Sequence, residues 1–341
     1  MALDLFLSDE AATIRFGEDM ALGLKRGDYV ALSGDLGAGK STFSRALIRA
    51  IADDAYLEVP SPTFTLVQIY DLRIPVAHFD LYRIADAAEI DELGFDEALA
   101  DGICLVEWPE KGSGALPADG ITLTFLHESE GRRVTIDGPV PALARIRRSL
   151  AIRAFLDEAG YRNATRRHLT GDASVRAYEH VHVDGTRYVL MDSPRHMPGP
   201  ILAHGKYYQQ IAHIAEDVKP FIAIGRDLVA RGLRAPAIYE TDIEAGLLLI
   251  EDLGSEGVLD DKGVPIAARY RESAACLALL HGQTFARDLP VSGGIIHRVP
   301  DFDRDAMQIE VSLLVDWYLP FKRGTPASGD ERDAYIALWD G

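Results

Sequence analysis

Cysteine is almost missing: two thiols, Cys104 and Cys276, lie far apart in 341 residues, and neither belongs to a CxxC or Cys/His spacing. A disulfide framework and a structural zinc site are thereby excluded. Long apolar runs are missing as well. No stretch approaches the roughly 18 residues that cross a bilayer, and MALDLFLSDEAATIRFG at the N-terminus breaks its apolar residues with acids, unlike a secretory signal. Basic charge is in deficit, with 35 Lys and Arg against 53 Asp and Glu and a formal net charge of −18. A broad nucleic-acid surface needs clustered cations, so any link to RNA is expected to run through partners. Repeats and low-complexity tracts are absent too. What remains reads as a soluble, cytoplasmic chain, long enough for two cores.

The apolar pattern is that of an α/β protein. Residues 4–7 read as a short strand, and Ser8 as the N-cap of a helix ending near Gly27. YVALSG at 29–34 reads as a buried strand. STFSRALIRAIA at 41–52 places Phe43, Leu47 and Ile51 on one helical face. Further strands are predicted at 64–72, 74–81, 103–108, 121–126 and 132–138. The two prolines of GPVPALARI at 138–146 predict a linker, with a new helix over 149–160. Beyond it, 169–194 reads as a hairpin turning at Asp184-Gly185. Helical patterns follow at 201–216, 219–232, 263–283 and 304–319, with strands near 237–240 and 246–251.

Between the buried strand and the helix stands GDLGAGKS, Gly34 to Ser41, which satisfies G-x-x-x-x-G-K-[ST] in the strand-loop-helix context that gives the motif its meaning. Glycines let backbone N–H groups close around phosphates, and a helix N-terminus adds positive potential. A lysine reaches the β and γ oxygens, and a hydroxyl holds Mg²⁺. The loop therefore predicts a nucleotide site, and does not by itself name the reaction.

With SPTFTLVQIY (61–70), HFDLYR (78–83) and LVEWPEKG (105–112), this loop resembles the TsaE family over roughly residues 1–138. The resemblance implies a P-loop NTPase domain over 1–142 with a central, mostly parallel sheet. It also implies an ATPase that works with TsaB and TsaD proteins to install threonylcarbamoyl on certain tRNAs, touching tRNA only through them. Carried over by position, Asp35, Leu36, Gly37, Ala38, Gly39, Lys40, Ser41 and Thr42 bind ATP, with Ser41 a Mg²⁺ ligand where the family more often has Thr. Glu107 and Asp80 are the acidic residues beside the metal, and with Lys40 they form the expected catalytic set. Thr63 is expected on a nucleotide-sensing loop and Arg132 against the nucleotide. His78 and Tyr82 are read as packing residues.

From about residue 148 to 341 the chain resembles aminoglycoside-phosphotransferase-like kinases of the type that phosphorylates N-acetylmuramate or N-acetylglucosamine at the anomeric position. LTGDASVRAYEHV (169–181), YVLMDSP (188–194), GLRAPAIYETDIEAGLLLIEDLG (232–254) and EVSLLVDWYLP (310–320) carry it. The resemblance implies a kinase-like N-lobe and a partial C-lobe. In it, 171–176 would cover the ATP phosphates and 249–253 would pair with adenine. Two departures stand out. Met191 and Asp192 occupy the strand where such kinases often carry a phosphate-pairing Lys, and no H-x-D-x-x-x-x-N loop occurs between 255 and 341. The chain is thus expected to stop short of the catalytic loop. Three readings stay open: an ATPase subunit fused to an incomplete kinase, a bifunctional protein acting on an amino sugar, and an ATPase beside an interaction module.

Overall fold

The computed structural model describes residues 2–85, 89–112, 114–171, 176–195, 201–203 and 205–339. The chain forms two compact units, Met1–Thr170 with Glu179–Arg187 and Gly171–Tyr178 with Tyr188–Gly341.

The first unit runs β1 (Leu3–Leu7), α1 (Glu10–Gly23), β2 (Tyr29–Gly34), α2 (Lys40–Ala52), β3 (Val67–Tyr70), β4 (Val76–Asp80), α3 (Glu89–Glu92), α4 (Phe95–Asp101) and β5 (Ile103–Glu107). It continues with β6 (Ile121–Glu128), β7 (Gly131–Asp137), α5 (Val140–Glu158), β8 (Thr165–Leu169) and β9 (Ala177–Val183). Among the described residues a seven-stranded sheet has the order β1-β7-β6-β2-β5-β4-β3. Its middle, β6-β2-β5-β4, is parallel. Its flanks, β1-β7-β6 and β4-β3, are antiparallel. The sheet expected to be mostly parallel is therefore mixed. Short connections explain the β6-β7 and β3-β4 pairs, because only antiparallel neighbours can be joined by a tight turn such as the one between β6 and β7, where Ser129 adopts φ 53°; β1, far away in sequence, adds to the free edge of β7.

Strand alternation decides where the polar residues point. On β5, Cys104 and Val106 join the core with Ala77 and Phe79 of β4. Ile103 and Leu105 join the opposite core with Val76, Phe43 and Leu47, under α1 and α2. His78, Asp80 and Glu107 continue the α2-facing rows of their strands. They are polar positions in an otherwise apolar series, so they must find partners or open onto a cavity.

Several local expectations give way to tertiary structure. The N-cap of α1 is Asp9, whose side chain accepts from Ala12 N at 2.7 Å, not Ser8. The helix ends at Gly23 rather than near Gly27. Pro139 and Pro141 do not mark a linker: they sit at the N-cap and in the first turn of α5, where a proline costs no hydrogen bond. Leu143 and Ile146 of α5 are buried in the same core as α1. The predicted strand at 64–72 shrinks to β3, because Leu66, at φ 65°, turns back to bond Pro62.

A buried ion cluster ties α1, α5, β8 and β9 together. Arg166, fully buried, donates from Nε and Nη2 to Glu179 at 2.7 and 2.8 Å, and from Nη1 to Asp19 Oδ1 and the Ser149 carbonyl, each at 2.8 Å. Arg153 grips the other side of Asp19 at 2.9 Å and the Ala164 carbonyl at 2.7 Å. Burial works against the Arg166 charge, but Glu179 and then Asp19 outweigh it and raise its pKa. Helix α1 in turn lies close on α2, where a Cβ on Gly17 would stand 2.9 Å from Ala46 Cβ.

Strand β10 (Thr186–Asp192) follows the Asp184-Gly185 turn, whose positive φ values of 50° and 77° suit the expected hairpin, and from Tyr188 the chain belongs to the second unit. The short β11 (Ile201–Ala203) and β12 (Lys206–Tyr207) pair, and α6 (Tyr208–Ile211) and α7 (Lys219–Ala230) follow. The helix expected over 201–216 is thus reduced to one turn. Strands β13 (Ile238–Asp242) and β14 (Leu247–Glu251) are antiparallel, and β14 pairs antiparallel with β10. Met191, Ile222, Leu248 and Ile250 centre the core. Then come α8 (Ala267–His281), the β15 (Asp288–Pro290) and β16 (Ile296–Arg298) pair, α9 (Arg304–Leu313), a π-helical turn over Leu314–Tyr318, α10 (Leu319–Arg323) and α11 (Gly329–Ala337). Of the expected phosphate-covering tip, residues 172–175 lie outside the described residues.

Candidate nucleotide site

The site is built where β2, β4 and β5 end and α2 begins. Gly39 is the N-cap of α2 at φ 106°, a conformation L side chains avoid, and no side chain caps the helix. The first N–H groups of α2 therefore remain available to an anion, with the helix dipole behind them. A cleft of about 430 Å³ opens there, within the range of small-molecule sites. Its wall includes Leu36, Gly37, Ala38, Gly39, Lys40, Ser41 and Thr42 from the loop and helix, with Thr63, Asp80 and Glu107 opposite.

Lys40 is buried. Its Nζ donates to the carbonyls of Gly34 at 2.6 Å and Asp35 at 2.9 Å and rests 3.8 Å from the Trp108 ring centroid. Burial lowers its pKa, against the pull of Glu107 and other nearby carboxylates. Glu107, 2% exposed, accepts from Ser41 Oγ at 2.9 Å on Oε2, while Oε1 lies 3.1 Å from Ser44 Oγ and 3.0 Å from His78 Nε2. Burial pushes its carboxyl up, but the His78 contact and the two serine hydroxyls prevail and hold it below the usual range. Asp80 sits directly across from Glu107 in the β4–β5 register. Its Oδ2 accepts from Thr63 Oγ1 at 2.6 Å and Ser61 Oγ at 3.2 Å, and its Oδ1 from Tyr82 N at 3.0 Å.

Lys40, Ser41, Thr42, Thr63, Asp80 and Glu107 therefore come together around one cleft. Asp35 contributes its carbonyl to Lys40 while its side chain is exposed. Arg132 on β7 lies against the loop: a Cβ on Gly39 would collide with its guanidinium, and its buried Nε has no hydrogen-bond partner. Five participants were not read as site residues in the sequence: Ser61, which bonds Asp80, and His78, Ser44, Tyr82 and Trp108. His78, taken for packing, touches Glu107, and Ser44 does so one helical turn after Lys40. Tyr82 and Trp108 line the cleft with their rings 5.1 Å apart. The i, i+2 spacing of His78 and Asp80 was the available signal for the first, since both must share a strand face.

The hard oxygens of Ser41, Glu107 and Asp80 are the donor type Mg²⁺ takes. Among the described residues no group of three or more His, Cys, Asp or Glu side chains is placed to hold a metal. A divalent ion here would draw most of its ligands from phosphate and water, which is how Mg²⁺ is commonly held. The residues fit that ion in the company of a nucleotide.

Comparison with known proteins agrees on the first unit. The profile of the family described as threonylcarbamoyl adenosine biosynthesis protein TsaE matches residues 7–135. The tRNA threonylcarbamoyladenosine biosynthesis protein TsaE of Haemophilus influenzae is 37% identical over 142 residues, which span 40% of this chain and 89% of that protein. The like-named protein of Rickettsia typhi is 44% identical over 105 residues, 30% of this chain and 72% of that one. That of Aquifex aeolicus is 35% identical over 134 residues, 39% and 94% respectively. A solved structure described as Bacillus subtilus YdiB aligns at 25% identity with a TM-score of 0.38, over 45% of this chain and 97% of that one.

Proposed function

We propose that this chain, which belongs to the TsaE family through its N-terminal domain, binds and hydrolyses Mg·ATP at the Gly34–Thr42 loop. It does so in the cytoplasm as the ATPase subunit of tRNA threonylcarbamoyladenosine biosynthesis, with TsaB- and TsaD-type partners. The observation that carries this reading is the uncapped start of α2 facing Glu107 and Asp80 across one cleft. In it the loop N–H groups and Lys40 hold the phosphates, and Arg132 stands beside them. Ser41, Glu107 and Asp80 would hold the Mg²⁺ that neutralises phosphate charge, and Thr63 ties the 61–66 segment to Asp80. The acidic surface is no obstacle, because ATP needs only local cations and the tRNA is held by the partners.

The test is ATP hydrolysis by the full chain, alone and with TsaB- and TsaD-type proteins. Turnover is expected to rise with the pair and to disappear with Lys40→Ala. Turnover unchanged by that substitution would overturn the site.

A second reading concerns residues 148–341. The Asp184-Gly185 turn and the β10-β14-β13 sheet, with β14 buried and carrying the first part of the 249–253 stretch proposed to meet adenine, support a sugar-kinase-like module. Without an H-x-D-x-x-x-x-N loop we assign that module no phosphotransfer in this chain. Incubating the Lys40→Ala protein with Mg·ATP and N-acetylmuramate or N-acetylglucosamine decides it, because sugar phosphate formed there would make the protein bifunctional.

A further inference from the structure

We infer that His78, with Ser44, is a positioning residue that fixes the Glu107 carboxylate, and that it is not core packing. The inference rests on the ATPase reading above and concerns how its acidic residue is held.

Glu107 has its two oxygens in different surroundings. Oε2 meets Ser41, the hydroxyl that lines the cleft, whereas Oε1 is held from behind by His78 Nε2 and Ser44 Oγ. A carboxylate only accepts, so the proton in the His78 contact is carried by Nε2. The opposite ring nitrogen, Nδ1, is buried and has no hydrogen-bond partner. An imidazole with one nitrogen buried and unsatisfied is a poor packing residue, because an apolar ring would fill the same space without that desolvation cost. What the imidazole supplies there is its bond to Glu107. Two rotatable torsions separate the Glu107 carboxylate from its Cβ, and the backbone of β5 does not set them. His78 and Ser44 do, by fixing Oε1 and so aiming Oε2 at Ser41 and the cleft. Register makes this possible, since His78 and Asp80 lie on one face of β4 beside Leu105 and Glu107 of β5.

The experiment compares the full chain with His78→Leu, His78→Gln, Glu107→Gln and the double variant His78→Leu/Glu107→Gln. It reads ATP turnover and also the Mg²⁺ concentration that half-saturates binding of a non-hydrolysable ATP analogue, followed by calorimetry. His78→Leu is expected to lower kcat about tenfold, as for loss of a group that orients another, and to raise the half-saturating Mg²⁺ by a similar factor. KM for ATP at saturating Mg²⁺ should change less than threefold. His78→Gln, whose amide also donates, should recover most of both losses. In the double variant the histidine change should add less than twofold to the loss from Glu107→Gln, because the two act as one unit. Should His78→Leu melt early, Ser44→Ala removes the other contact to Oε1 and carries the same expectation. His78→Leu and Ser44→Ala both within twofold of the unmodified protein, while Glu107→Gln abolishes turnover, would overturn the positioning role alone. Fully multiplicative losses in the double variant would do the same. If the unmodified chain neither binds nor hydrolyses Mg·ATP, the ATPase reading falls, and the role of His78 falls with it.

Discussion

Arg166 and Lys40 are both buried cations of the first unit, yet their surroundings differ in kind. Arg166 is enclosed by Glu179, Asp19 and the Ser149 carbonyl, and its pKa is raised. Lys40 is bonded to two carbonyls of its own loop and leans on an aromatic ring, and burial lowers its pKa. The first arrangement is closed: its charges are matched by groups from α1, α5, β8 and β9, and it joins those elements. The second is open, with Lys40 and Ser41 lining a cleft opposite Thr63, Asp80 and Glu107. A buried charge matched by the protein serves architecture. A buried charge held at a cavity at some cost in solvation is available to a ligand.

Four measurements would break or sharpen that contrast. The largest effect is expected from Arg166→Ala, which leaves Asp19 and Glu179 buried beside an empty partner and should cost about 3–5 kcal/mol in denaturant unfolding. A loss under about 1 kcal/mol would show that the cluster is not what joins α5 and β8 to α1. Lys40→Met should behave in the opposite way. Turnover is expected to fall about 10²–10³-fold, as when a preorganised charge-stabilising group is removed, while unfolding stability stays level or rises. The sign follows from the lowered pKa: the folded state disfavours the Lys40 charge, so the ammonium subtracts stability at neutral pH and its removal relieves that.

A smaller effect should appear in acid. Because the Glu107 carboxyl is held below its ordinary value of 4.5, it contributes stability that is fully present above that value. The contribution is lost as pH falls from there through the lower folded-state value. The melting temperature of the unmodified protein, minus that of Glu107→Gln, should therefore shrink as pH drops below 4.5. A difference that grew in acid would contradict the assignment. The smallest effect separates the thiols. Cys104 is buried on β5, where burial pushes its pKa up to about 12, whereas Cys276 is exposed. Alkylation of the native protein at neutral pH should label Cys276 alone, and Cys104 only after unfolding. Early labelling of Cys104 would mean that the sheet opens next to Glu107.

Much of the site could be read directly from residues. GDLGAGKS between a buried strand and an amphipathic helix names its own geometry, since glycines, lysine and hydroxyl at that spacing do one thing well. Glu107 and Asp80 were legible through the resemblance of LVEWPEKG and HFDLYR to the family's motifs, since an acid at the end of an apolar strand can equally be solvated. His78 was not, because a lone histidine in an apolar strand looks the same whether it packs or bonds, and only the β4–β5 register brings it to Glu107. The fold shows the same division. Strand positions followed from alternation, whereas Pro139 and Pro141, which read as breakers, begin a helix whose apolar face found a partner in α1.

Chain order and side-chain type alone thus determined the strand-loop-helix unit and its Gly34–Ser41 motif, because those depend on contacts within a few residues and on the periodicity of two elements. Tertiary structure alone decided that the sheet is mixed, that α5 and β8 belong with α1 through Asp19, Arg153 and Arg166, and that Glu107 is held by His78 and Ser44. Those pairings join residues 29 to 147 positions apart. Nothing local distinguishes such partners until packing brings them within hydrogen-bonding reach.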